Sequence, residues 1–116
     1  MRPQLLDRFG LSVEVRSPDD IEDRVGVIRR RAALDPNPDA CVKKWAPEDE
    51  AVRDRILTAR TNLNSTETPD DTLRDCAGLC VAIGSDGLRG ELTLLRTAKA
   101  LAAYESSASV TRAHLR

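Results

Sequence analysis

Ser17-Pro18-Asp19-Asp20-Ile21-Glu22-Asp23-Arg24-Val25-Gly26-Val27-Ile28-Arg29-Arg30-Arg31-Ala32 is the stretch on which the fold class turns. Ile21, Val25, Ile28 and Ala32 recur at helical spacing, which lines them up as one apolar stripe. Ser17 reads as the N-cap, Pro18 as the first helical residue and Asp20 as the third position of a capping box. Asp19, Asp20, Glu22 and Asp23 crowd the first turns, and Arg29, Arg30 and Arg31 gather near the end. That order complements the helix macrodipole at both termini. The triple arginine therefore has a role within its own helix, and without interleaved aromatics it predicts no nucleic-acid surface.

Just upstream, Leu11, Val13 and Val15 alternate with Ser12, Glu14 and Arg16, the period-two pattern of a strand with one buried face. It is the one clear strand signal. A lone strand cannot satisfy its backbone hydrogen bonds, so its partners are expected from polypeptide upstream or from another chain. Downstream the pattern stays helical. Asp35-Pro36-Asn37-Pro38 predicts a turn, Asp39 to Trp45 a short helical turn, and Pro47 the start of a helix carrying Val52, Ile56, Ala59 and Leu63 on its apolar face. Asn64 to Pro69 reads as an exposed polar loop. A further helix is expected from about Asp71 or Thr72, burying Leu73, Cys76, Ala77, Cys80 and Ile83 before Gly84 stops it. Another should run from about Arg89 to Glu105, with Leu88, Leu92, Leu95, Ala98 and Ala102 facing the core. A last, short helix is expected from Val110 after Ser109. The fold class expected is thus mainly α, a helical bundle preceded by a single strand.

The composition narrows the function classes. The chain has 116 residues, 41% hydrophobic and 32% charged, with 18 basic against 19 acidic residues, enough for one modest core and for no single-sign field. No stretch approaches the roughly 20 apolar residues of a membrane span, so no span is expected and a cytoplasmic location follows. Three cysteines, Cys41, Cys76 and Cys80, with the single histidine His114 far off, form no zinc-type spacing. Cys76 and Cys80 stack on one helix face and are expected to be buried as small apolar side chains. No metal ligands are assigned.

The chemical inventory is short. There is no Gly-rich loop followed by Lys and Ser or Thr, and no apolar strand ending in paired acids, so nothing would hold magnesium and a triphosphate together. Two arginines stand near element boundaries: Arg8, after Leu5-Leu6-Asp7, and Arg89, in Gly84-Ser85-Asp86-Gly87-Leu88-Arg89-Gly90. Each has two readings. A planar, permanently charged fork at such a place suits a phosphate on an adjoining surface, and it equally suits an ion pair with a nearby carboxylate, Asp7 or Glu91.

At these residues the chain resembles a family. Arg2-Pro3-Gln4-Leu5-Leu6-Asp7-Arg8-Phe9-Gly10-Leu11, with Ser12-Val13-Glu14-Val15, looks like the segment following sensor 1 in the magnesium chelatase subunit I family, ring-forming AAA+ ATPases of chlorophyll and bacteriochlorophyll synthesis. The similarity continues through Asp23-Arg24-Val25, Arg29-Arg30-Arg31, Asp75-Cys76-Ala77-Gly78-Leu79-Cys80 and the run from Gly84 to Arg96. The resemblance implies that residues 1–16 end the ATPase core and residues 17–116 form most of a helical C-terminal domain, cut within its last helix. It implies that Arg8, with Asp7 beside it, is the arginine finger reaching the γ-phosphate of ATP on the neighbouring subunit, and that Arg89 is the sensor 2 arginine. ATP and Mg2+ would serve the parent protein, with none bound by this piece alone. The partners implied are further copies in a ring, a hexamer, and the large chelatase subunits that hold the porphyrin. Two other readings stay open: a related AAA+ chelatase or MoxR-like ATPase sharing the Leu-Asp-Arg-Phe core, and a non-enzymatic helical module that binds a partner protein.

Overall fold

The computed structural model describes residues 9–85 and 88–115. Four α-helices are found among them: α1 (Ile21–Leu34), α2 (Pro38–Asn62), α3 (Asp70–Ala82) and α4 (Arg89–Tyr104), followed by a short 3-10 turn, Arg112–Leu115. The chain divides into two units, one ending at Ala51 and the other beginning at Val52, the division falling within α2.

In the first unit, α1 starts three residues later than its capping pattern suggests. Asp20, not Ser17, is the N-cap: its backbone is extended and its carboxylate accepts the Asp23 N–H at 3.0 Å. A carboxylate accepts that bond more strongly than a hydroxyl and also meets the positive helix end. Pro18 is left outside, where its carbonyl accepts from Arg24 Nε at 2.7 Å. The apolar stripe forms, but among the described residues of this unit nothing covers it, and α1 contains no buried residue.

The strand expected at Leu11–Val15 does not form. Residues 11–18 have no regular structure and Val15 is 90% exposed. Among the described residues nothing pairs with this segment, so its backbone is better satisfied by water than by extension into an empty ladder.

Pro47 was expected to open a helix and instead lies inside one, because α2 runs unbroken from Pro38. Its beginning is specified by Asn37, whose side-chain oxygen accepts the Ala40 N–H at 3.0 Å, with Pro38 at the first helical position. An interior proline removes one backbone bond and costs about 3 kcal/mol in an average context. Here the orphaned carbonyl is that of exposed Lys43, which water can reach.

The second unit contains the core. Cys76, Ala98, Ala102, Val110 and Leu115 cluster there, with Leu94 and Leu95 packed against them. Along α3 the buried row is Thr72, Cys76 and Cys80, and along α4 it is Ala98, Ala102 and Ala103. Small side chains on both rows let the two helices approach closely, and the larger Leu73, Ile83, Leu88 and Leu92, expected inside, remain substantially exposed at the margins. Outside the core, the Arg55 guanidinium stacks 4.3 Å from the centroid of the Tyr104 ring, joining the end of α2 to α4.

Both core helices end in the same way. At the end of α3, Gly84 is left-handed (φ 68°), Gly84 N–H donates to Val81 O at 3.1 Å and Ser85 N–H to Cys80 O at 2.9 Å. At the end of α4, Ser106 takes φ 58°, its N–H donates to Ala103 O at 3.1 Å, and Ser107 N–H donates to Ala102 O at 2.8 Å. These are paired Schellman closures that satisfy the last carbonyls of each helix.

The loop expected to be exposed at Asn64–Pro69 is partly buried. Glu67 and Ser109 form a parallel bridge, in which Glu67 N–H donates to Ala108 O at 3.0 Å and Val110 N–H donates to Glu67 O at 2.8 Å. Buried Thr72 donates its hydroxyl to Val110 O at 3.1 Å. With its N–H and C=O both bonded, Val110 can be 1% exposed without being helical. The helix expected to start there is replaced by this bridge and the 3-10 turn. His114 closes the turn: its Nδ1 accepts the Thr111 N–H at 2.8 Å, so the ring proton is on Nε2, 3.2 Å from Glu105 Oε2.

Candidate functional site

Arg89 is the first residue of α4 and is exposed. Its position follows from three local features. Gly84 reverses the chain after α3 with a backbone angle that L-residues adopt at a cost. Gly90 makes room for the turn, because a Cβ there would collide with the Ser85 side chain and also meet Cys80 Sγ at 4.0 Å. Cys76 Sγ lies 3.6 Å from the Glu91 carbonyl oxygen, so α3 holds the first turn of α4 against itself.

That turn combines charges of both signs. Leu88 provides no side-chain hydrogen bond to the start of α4, so the positive end of the helix dipole stands beside an arginine that is always charged. Glu91, also in this turn, has one carboxylate oxygen, Oε2, that is buried and without a hydrogen-bond partner. Beneath it, burial above all, then the neighbouring Cys80 and Glu91, push the Cys76 thiol above its ordinary value. The thiol is therefore a protonated packing group at neutral pH and no nucleophile. Among the described residues no group of three or more His, Cys, Asp or Glu could hold a metal ion. A groove of about 530 Å3 in this unit is lined by Arg74, Asp75, Gly78, Leu79, Arg112 and Leu115, without Arg89. Arg89 is thus placed at the exposed beginning of α4, with α3 fixing the first turn behind it.

Asp7 and Arg8, the other two site residues read from the sequence, lie outside the described residues. Sequence reasoning missed the buried Oε2 of half-buried Glu91 and His114 as the closure of the last turn. The signal for His114 was Thr111 three residues before a lone histidine. Glu91 had none in its near neighbours along the chain.

Residues 73–116 match the family model of the AAA lid domain. The matched region holds α4, with Arg89 as its first residue, most of α3 and the core they share, so this helical unit is similar to an AAA lid. Over its whole length the chain is similar to magnesium-chelatase subunits. It is 62% identical over all 116 residues to the magnesium-chelatase 38 kDa subunit of Cereibacter sphaeroides and 60% identical over 116 residues to that of Rhodobacter capsulatus. It is 45% identical over 111 residues to a magnesium-chelatase subunit ChlI homolog of Methanocaldococcus jannaschii, 30% of that protein. The chain spans about a third of these relatives' length, 35% and 33% of the first two, and corresponds to their C-terminal part. No helix among the described residues is long and apolar enough to cross a membrane.

Proposed function

We propose that this chain is the C-terminal, lid-bearing part of the ATPase motor subunit of a magnesium chelatase, which couples ATP hydrolysis to insertion of Mg2+ into protoporphyrin IX. The observation that carries the reading is Arg89 at the start of α4, on an AAA lid, in a chain similar throughout to chelatase subunits. In this reading residues 1–16 complete the ATPase core and residues 17–116 form the helical domain. Arg89 is the sensor 2 arginine: it holds a phosphate oxygen of ATP and transmits the nucleotide's state to α3 and the core through the first turn of α4.

Arg8, oriented by Asp7, acts across the subunit boundary on the neighbour's ATP. An arginine so placed stabilises charge developing on the transferred phosphoryl group and is worth about 10³ to 10⁵ in turnover. It does so by electrostatics and positioning, without covalent chemistry. Mg2+ with ATP supplies the phosphoryl chemistry when bound. The remaining parts of this proposal are a cytoplasmic ring of further copies, a hexamer, working on the large porphyrin-holding subunits, and no hydrolysis by the 116 residues alone.

The test is ATP hydrolysis by the chain alone and after addition to a full-length chelatase subunit I whose arginine finger has been removed. The expected result is none alone and partial rescue on mixing. Hydrolysis by the chain alone would overturn the reading. In the full-length parent, Arg89→Ala should impair hydrolysis more than nucleotide binding, and equal loss of both would count against the sensor role.

A further inference from the structure

The first unit contains a groove that the ATPase reading does not use. It has a volume of about 280 Å3 and lies between the end of α1 and the beginning of α2, with Ala33, Ala40 and Trp45 among its lining and Arg29, Arg30 and Lys44 at its edges. The Arg30 guanidinium and the Lys44 ammonium lie 5.9 and 5.7 Å from the Trp45 ring centroid. Next to the groove, Arg31 is paired with Asp35 at 3.0 Å. Arg29, Arg30 and Lys44 make no ion pair among the described residues, and no carboxylate lines the groove.

A concave apolar floor with an aromatic wall and three cations that pair with no carboxylate among the described residues is complementary to a short anionic segment carrying an apolar side chain. We propose that this groove docks an acidic peptide segment of a partner protein, an apolar or aromatic side chain packing on Ala33, Ala40 and Trp45 and flanking carboxylates meeting Arg29, Arg30 and Lys44. The proposal is independent of the ATPase reading.

The distribution of charge favours a peptide over a nucleic acid. Residues 1–51 hold nine Lys and Arg against eleven Asp and Glu, and Asp19, Asp20, Glu22 and Asp23 stand at the other end of α1. A long polyanion laid along this unit would meet that acidic end, whereas a short segment confined to the groove would not. A groove of this size holds one or two side chains.

Trp45 is the only tryptophan in the chain, so its emission reports on the groove directly. The experiment is a titration of the 116-residue chain with the synthetic peptide acetyl-Asp-Glu-Phe-Asp-Glu-amide, excited selectively at tryptophan. A saturable change in emission is expected, weakened roughly tenfold or more by Lys44→Glu and by high salt, and unchanged by Arg53→Glu on the later part of α2. Arg30→Gln, followed by calorimetry after circular dichroism has confirmed helicity, gives the same readout with a milder change. Three results would overturn the proposal: no response at millimolar peptide, binding indifferent to both charge variants, or tighter binding of a uridine 20-mer than of the peptide.

Discussion

Replacing Gly84 by alanine isolates the backbone term that turns α3 into α4 and brings Arg89 to its place. Gly84 has φ 68°, and a Cβ built there meets nothing within 4 Å. The substitution therefore adds no clash and removes no packing, and its whole cost is conformational. An L-residue in the left-handed region costs about 1–2 kcal/mol. Against this, removing a glycine from the unfolded chain returns roughly 0.4–1 kcal/mol of entropy. The net expectation is a loss of about 1 kcal/mol, or a fall of roughly 4–8 °C in Tm for a unit of this size. Thermal unfolding followed by circular dichroism measures it. Gly84→Asn should lose less, since asparagine tolerates this region, and semisynthetic D-alanine, which prefers it, should be at least as stable as the parent chain. Equal stability of the L- and D-alanine proteins would refute the reasoning.

Other outcomes follow from the same core. Ser106 occupies the equivalent position at the end of α4 with φ 58°, so Ser106→Gly should stabilise the chain by up to about 1 kcal/mol in a denaturant titration, and destabilisation would contradict the backbone argument. Thr72→Val keeps the shape but leaves the Val110 carbonyl, now 3.1 Å from the Thr72 hydroxyl, without that donor; a loss of about 1–3 kcal/mol is expected, and Thr72→Ser should retain the bond. Because the folded state holds the Cys76 thiol above its ordinary value of 9.0, it binds more protons than the unfolded state once the unfolded thiol ionises. The contribution is fully present below that pH and is lost as pH rises toward the folded value, so stability should fall above pH 9.0 and fall less steeply in Cys76→Ala. Thiol labelling at neutral pH should modify half-exposed Cys41 before buried Cys76 and Cys80.

Features that depend on near neighbours along the chain are legible from the residues alone. Helical spacing and caps are local, and they predict α1, α3 and α4, the stop at Gly84, the start at Arg89 and the burial of Cys76 with Cys80, all of which the structure contains. The Arg2-to-Val15 and Gly84-to-Arg96 runs, with the shorter matches between them, carried the family resemblance, and the roles of Asp7 and Arg8 rest on that alone. Tertiary structure decided what depends on distant partners. Leu11–Val15 has the strand pattern and no strand, because alternation specifies a face but cannot supply the neighbour that completes a ladder. Pro47 stays within α2, since exposed Lys43 leaves its carbonyl to water. Val110 is buried in an extended bridge because Glu67 and Thr72, far away in sequence, bond its N–H and its C=O. The groove at Trp45 likewise needed the turn between α1 and α2 to bring an aromatic beside arginines that the sequence shows only as a basic run. A pattern along the chain specifies which groups want burial or pairing; folding decides whether the partners arrive.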